Sequence, residues 1–243
     1  MNSTPWGGRV FFRPSTTSTM DDAQALEARG EPDGSVAWAA QQSAGRGRHP
    51  GRAWYGSPHA SLMFTVYWKP TRFLVGAFAP SLTVGLGVCL WLESLGLGPE
   101  FPVALKWPND VYLADRKAVG ILVTRRWGAS GSGAIHAGIG VNLQMPASGE
   151  AFRTPPISLA EAGILLTPED ALRSLLPFLA QALDHRQPRQ ACEARLWRRG
   201  QELELMDSVE QGVPRCGLVH GLDEAGRLLW DDGRGLRALS SGE

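Results

Sequence analysis

Val103-Ala104-Leu105-Lys106-Trp107-Pro108-Asn109-Asp110-Val111-Tyr112-Leu113, continuing into Ala118-Val119-Gly120-Ile121-Leu122-Val123, alternates short apolar runs with charged turns. Such runs predict adjacent strands at Val103–Trp107, Asp110–Leu113 and Ala118–Arg126, with Pro108-Asn109 turning the first into the second. Working outward, Ala60–Trp68 has the β-branched and aromatic bias of a strand, and Arg9–Phe12, Ser35–Gln41 and Ala134–Leu143 are also strand-like. The glycines of the last, Gly138 and Gly140, imply close backbone approach to something. Helical patterns fall at Ala23–Ala28 behind Asp21 and Asp22, and at Leu159–Ala162. A further one at Pro168–Leu183 opens in the preferred order of proline and acidic residues. Leu74–Leu92 is the longest apolar stretch, but Pro80, Ser81, Thr83 and several glycines make it a buried helix rather than a membrane span. Mixed elements with the strands clustered predict an α+β fold, a mixed β-sheet with flanking helices.

From about Cys192 the texture changes to short strand-like runs separated by Gly212, Gly217, Gly221, Gly226 and Gly233, which predict five short strands in a small barrel or sandwich. The boundary is placed in the polar segment Asp184–Ala191. That division gives residues 1–187 as a large α+β domain and 188–243 as a small β domain. With 243 residues, 43% of them hydrophobic, the chain can bury a sizeable core. Lysine plus arginine number 24 and so do aspartate plus glutamate, so no global field draws the chain to nucleic acid or an anionic membrane. Cys89, Cys192 and Cys216 show neither a zinc spacing nor a disulfide framework, and Met1–Pro14 does not read as a secretory signal. A reduced cytoplasm is the expected compartment.

Two clusters carry chemistry. In Gly45-Arg46-Gly47-Arg48-His49-Pro50-Gly51-Arg52-Ala53-Trp54, glycines let backbone amides approach a ligand while three guanidinium forks suit carboxylate or phosphate oxygens. A basic solvated turn is the plainer reading. The second cluster sets Lys106 and Asp110 beside Asp115-Arg116-Lys117; two lysines and a carboxylate are what a magnesium-nucleotide site needs. Taken alone, the plain reading, a β-hairpin with a charged tip, is the preferred one.

Together, and in this order, the clusters resemble the biotin protein ligase family. The resemblance rests on Ser18-Thr19, Gln42, Gly45–Arg48 with Gly51-Arg52 and Trp54, Lys106–Asp110, Arg116-Lys117 with Gly120-Ile121-Leu122, and Gly138–Asn142. It runs from about Ser15 to the C-terminus, where Gly221-Leu222-Asp223, Gly226 and Ser241-Gly242-Glu243 are similar to that family's SH3-like domain. It implies a class II synthetase-like catalytic domain of the biotin/lipoate ligase type and a small SH3-like β-barrel. The activity implied is ATP-dependent formation of biotinyl-5'-AMP, assisted by Mg2+, then transfer of biotin to a lysine of a biotin carboxyl carrier domain. The carrier would belong to acetyl-CoA carboxylase or another biotin-dependent carboxylase. Carried over by position, Ser18, Thr19, Gln42 and Gly120 would contact biotin, and Arg46, Gly47 and Arg48 would lie on a loop that orders over the activated acid. Lys117 would sit between the biotin carboxylate and the α-phosphate. Arg48, Arg52, Trp54, Lys106, Asn109, Asp110 and Asn142 would serve the nucleotide, with Asp110 also the metal contact.

Three departures from the family's wording stand out: an extra residue at His49-Pro50, Met20 where asparagine is common, and Thr124-Arg125 where glutamate is usual. The competing readings are a lipoate-type ligase, against which Gln42 and the intact Lys106–Asp110 run speak, and a non-catalytic biotin sensor or nucleic-acid-binding module. With the ligand motif starting at Ser18, the expectation is a form without the N-terminal DNA-binding domain that repressor members carry. No cysteine stands beside a histidine, so a thioester intermediate is not expected. The resemblance leaves a homodimer compatible with the sequence, and neither nucleic acid nor a membrane is an expected partner.

Overall fold

The computed structural model describes residues 3–48, 54, 60–69, 78–125, 133–145, 155–205 and 214–240. Its main layer is a seven-stranded mixed sheet in the order β1-β2-β3-β7-β6-β5-β4. The strands are β1 (Val10–Arg13), β2 (Val36–Ala39), β3 (Ser61–Trp68), β4 (Val103–Lys106), β5 (Asp110–Leu113), β6 (Arg116–Arg125) and β7 (Ile135–Asn142). Only the β1–β2 pair is parallel; the rest of the sheet is antiparallel. The predicted meander is therefore the β4–β5–β6 half of the sheet, turned through a cis Trp107–Pro108 bond.

The two faces of the sheet have different owners. Along β3, Leu62, Phe64, Val66 and Trp68 enter the main core with α2 (Pro80–Glu93) and α3 (Pro168–Leu183). Tyr67, one pleat over, packs with Ala23 and Leu26 of α1 (Thr19–Ala28) on the other face. Helix α1 starts four residues earlier than the sequence pattern suggests, because Ser18 takes the N-cap and its hydroxyl accepts from the Met20 N–H at 3.3 Å. Helix α2 is buried on nearly every side, and its two glycines permit this: a Cβ on Gly85 would lie 2.5 Å from Leu105 Cδ1, and one on Gly87 would lie 2.9 Å from the Leu179 Cα. Helix α3 is capped by Thr167, and its internal Pro177 falls on the exposed side, where the lost hydrogen bond is cheap to solvate.

The C-terminal part folds as a four-stranded antiparallel sheet, β11-β10-β9-β8, built from β8 (Glu202–Leu205), β9 (Arg215–Leu222), β10 (Leu228–Asp231) and β11 (Leu236–Leu239). Five strands were expected from the sequence; four are seen among the described residues, and 206–213 and 241–243 lie outside them. The polar segment read as a boundary carries a short helix, α4 (Pro188–Glu193), whose Cys192 is fully buried with its Sγ 3.5 Å from the Leu82 carbonyl. Leu205, Val219, Leu222, Leu228, Trp230 and Leu239 of the small sheet join the same apolar cluster as the large one. No helix among the described residues is long and apolar enough to cross a membrane.

Gly87→Val should lower stability by about 1–3 kcal/mol, because the added carbons meet the α3 backbone rather than a movable side chain. Urea unfolding checks this; an unchanged midpoint would show that α2 and α3 are not in hard contact there.

Candidate functional site

A trough of about 450 Å³ opens on the α1 side of the sheet. Its floor follows from register. Met63 pairs with Gly140, Gly140 with Gly120, and Gly120 with Asp110; in the next row Thr65 pairs with Gly138 and Gly138 with Leu122. Two glycines level across β6 and β7, with a third in the adjacent row of β7, leave backbone where neighbouring strands carry side chains. The approach anticipated at Gly138 and Gly140 comes in part from the chain itself. A Cβ on Gly140 would lie 2.3 Å from the Trp54 indole, and one on Gly120 would lie 2.5 Å from it.

Trp54 is delivered by the Gly/Arg loop, whose base is closed by the Trp54 N–H donating to the Gly45 carbonyl at 3.1 Å. Gly45 has no room for a side chain, since a Cβ there would sit 2.5 Å from the Trp54 carbonyl oxygen. Arg46, Gly47 and Arg48 line the trough. The Arg46 guanidinium donates to Asp21 Oδ2 at 2.6 Å at the head of α1, an exposed pair that contributes little and can be exchanged for a ligand anion. The extra residue at His49-Pro50, Gly51 and the predicted nucleotide contact Arg52 lie outside the described residues.

At one end Ser18, Thr19, Met20 and Gln42 line the cavity. Gln42 Oε1 accepts from the Thr19 N–H at 2.8 Å and its hydroxyl at 3.2 Å, and the Thr19 and Thr65 hydroxyls lie 2.9 Å apart. Two departures noted in the sequence meet here: the Thr124 hydroxyl donates to the Met20 sulfur at 3.5 Å. Gln42 also donates to the Met63 sulfur at 3.4 Å. Thr65 and Met63, missed in the sequence reading, could have been found by counting alternate positions along β3 back from the core.

At the other end stand Lys106, Asn109, Asp110 and Lys117. The register shift between Val111 and Tyr112 inserts one extra residue in β6, so that Lys117 comes to the trough side together with Gly120. Its ammonium lies 2.8 Å from Asp110 Oδ1 and 5.9 Å from the centre of the Trp54 ring. Asn109 lines this end and also fastens the turn: its side-chain amide donates to the Ile121 carbonyl at 2.7 Å, while its backbone carbonyl accepts from the Ile121 N–H. Asn142 is placed behind the wall rather than among the lining residues; its amide donates to the Lys117 and Ile157 carbonyls, each at 3.2 Å, and so steadies the strand beneath the ammonium. Tyr112, Trp197 and Leu205 complete this end, and no local signal in the sequence announced the last two.

The cysteines take no part in the trough. Burial pushes the Cys89 thiol well above its ordinary range, and that of Cys192 up to about 12, the state of inert core thiols. Cys216 is exposed on β9, away from the lining. His136, fully buried on β7, has its Nε2 3.1 Å from Glu27 and belongs to the packing beneath α1. The arrangement thus offers hydroxyl and amide groups at one end, the Lys106 and Lys117 ammonium groups with the Asp110 carboxylate at the other, and an indole across the middle. It can hold two reactants end to end and stabilise negative charge where they meet.

The profile of the Biotin/lipoate A/B protein ligase family matches residues 12–143. The bifunctional ligase/repressor BirA of Escherichia coli (strain K12) is 34% identical over 180 residues, covering 73% of this chain and 54% of that protein. The chain therefore spans about half the length of the first BirA relatives it matches. The biotin–acetyl-CoA-carboxylase ligase of Paracoccus denitrificans is 33% identical over 236 residues, 91% of this chain and 95% of its own. Among solved structures, the biotin protein ligase from Aquifex aeolicus in complex with biotin and ATP superposes with a TM-score of 0.75 at 26% identity, covering 96% of each chain.

Gly140→Ala should expel the Trp54 indole, since the new methyl would occupy its place. Hydroxyl-radical footprinting should then show Trp54 oxidised several-fold faster than in the unaltered chain. Equal rates would mean that the glycine floor does not hold the ring.

Proposed function

The chain belongs to the biotin/lipoate A/B protein ligase family, and on that premise we propose that it activates biotin with ATP and passes it to a lysine of a carrier protein. The observation that carries this reading is the meeting of Lys117 and Asp110 with Lys106 at the cationic end of a trough whose other end is lined by Ser18, Thr19 and Gln42. The relatives' names and bound molecules support it. In the first step a biotin carboxylate oxygen attacks the α-phosphorus and pyrophosphate departs with the electron pair of the broken P–O bond. Lys117, Arg46 and Arg48 stabilise the charge that builds on the phosphate oxygens. In the second step an unprotonated lysine amine attacks the anhydride carbonyl and AMP leaves. The loop from Arg46 to Trp54 serves to keep water from the anhydride in between.

Magnesium is expected to arrive on the triphosphate. Such an ion takes one or two carboxylates and completes its shell with phosphate oxygens and water. The residues fit that mode: Asp110 brings a carboxylate into the lining, and no cluster of three or more His, Cys, Asp or Glu exists among the described residues to form a resident centre. The ion would neutralise phosphate charge beside Lys106 and Lys117. The acceptor in this reading is a biotin carboxyl carrier domain of acetyl-CoA carboxylase or another biotin-dependent carboxylase, without nucleic acid or membrane as a partner. The three free thiols support a reduced cytoplasm as the compartment. A division into residues 1–187 and 188–243 is supported by the two separate sheets.

Pyrophosphate exchange measured with biotin, lipoate and octanoate in turn should proceed with biotin alone, and the purified protein with ATP and magnesium should label a carrier domain. Exchange with none of the three acids would defeat the ligase reading, and exchange with lipoate in place of biotin would move it to the sister activity. Lys117→Ala should cut the exchange rate roughly 10²–10³-fold. A near-normal rate would remove Lys117 from the role assigned to it.

A further inference from the structure

The C-terminal part reaches the cationic end of the trough through the segment that follows α4. Leu196 forms a parallel bridge to Leu105 on the outer edge of β4, the Leu105 N–H donating to the Arg195 carbonyl at 2.7 Å and the Trp197 N–H to the Leu105 carbonyl at 3.0 Å. This sets Trp197 beside Lys106. The indole is then fixed from several sides. Its Nε1–H donates to Asp115 Oδ1 at 2.7 Å, Tyr112 packs with ring centres 5.3 Å apart, and the Arg198 guanidinium stands 5.0 Å from the ring centre while its Nη2 lies 3.6 Å from Asp115 Oδ2.

The backbone around this indole is strained. Ala114 (φ 47°) and Asp115 (φ 60°) make a two-residue hairpin turn with both residues left-handed, and Arg198 (φ 62°) is left-handed as well. None is glycine, although glycine or asparagine would hold the turn at lower cost. What the strained turn supplies is the Asp115 carboxylate on the indole N–H. What the indole supplies is a face for the Lys106 ammonium, which lies 5.7 Å from the ring centre and donates to the Trp107 carbonyl at 3.1 Å. Lys106, Asp115, Tyr112 and Trp197 all line the trough.

We propose that Trp197 is the positioning residue for Lys106: held by Asp115, its ring fixes the ammonium where the triphosphate end of ATP enters. This rests on the adenylation reading given above. A lysine on a flexible four-carbon stem loses rotamer freedom whenever it binds an anion, and an aromatic face that orders it beforehand removes part of that cost. The carboxylic acid, bound at the far end, is not touched by this device.

The test is calorimetric titration of a non-hydrolysable ATP analogue with magnesium, in the presence of biotin, alongside separate KM values for ATP and biotin in pyrophosphate exchange. Trp197→Leu should weaken nucleotide affinity about three- to thirtyfold and raise the KM for ATP in step, with the KM for biotin within twofold. Trp197→Phe, which keeps a ring and loses the bond to Asp115, should fall between. In a Lys106→Ala background the Trp197→Leu change should cost less than twofold, because the group it positions is gone. Multiplicative losses in the double variant, or equal rises in both KM values, would overturn the proposal and leave Trp197 a packing residue. If the unaltered protein binds the analogue yet exchanges with no acid, the adenylation reading fails while the nucleotide affinities still decide the Trp197 question. A protein that binds no nucleotide overturns both.

Discussion

Everything in the site follows from a patch of sheet without side chains. Gly120 and Gly140 come level, with Gly138 in the next row, because β6 and β7 pair in one particular register, and a shift of a single residue would fill the trough with the branched side chains of Val119, Ile121, Ile139 and Val141. Those residues are held on the opposite face by the main core, so the register is enforced by burial on one side and its product appears on the other. The same alternation gives β3 its two identities, Phe64 and Val66 inward and Met63 and Thr65 toward the trough. The bulge that brings Lys117 round to the glycine side is the local exception, and it sets that ammonium beside Asp110.

The cationic groups of the trough are held by different kinds of contact. Lys117 shares Asp110, whose Oδ1 is buried, and Arg46 shares Asp21 in an exposed pair that can yield to a bound phosphate without stranding a buried charge. Lys106 lies against an aromatic face and donates to a backbone carbonyl. An exposed, exchangeable pair such as Arg46–Asp21 lets a cation turn to an incoming anion without first breaking a tight contact.

The arrangement of elements was largely legible because it rests on local periodicity: the β4–β5–β6 meander, α3 with its proline and acidic opening, and the strand at 60–68 are each decided by residues within them. The ends of the trough were legible for a different reason, since the family wording gathers Ser18-Thr19, Gln42, Lys106–Asp110 and Lys117, and the fold brings all of these together. What sequence did not disclose was which face each member takes. Asn109 and Asn142 have the chemistry of ligand contacts, yet their amides are spent on backbone carbonyls, a matter of turn geometry that no spacing reveals. Trp197 and Leu205 reach the trough only through pairing across the chain, at sequence distances where periodicity carries no information. Met20 and Thr124 looked like two separate departures and turn out to be neighbours.

Trp107, adjoining the nucleotide-end turn, donates its indole N–H to the Gly226 carbonyl in the small sheet at 3.0 Å, and Gly226 in turn packs on Ala79 and Leu82 at the start of α2. With Cys192, Val219 and Trp230 in the same apolar cluster as the large sheet, the small sheet acts as a keystone rather than an appendage. Anyone grafting this family's small barrel between members would be exchanging part of the host's interior, and the graft would have to match the host at Trp107 and α2 before its own strands mattered.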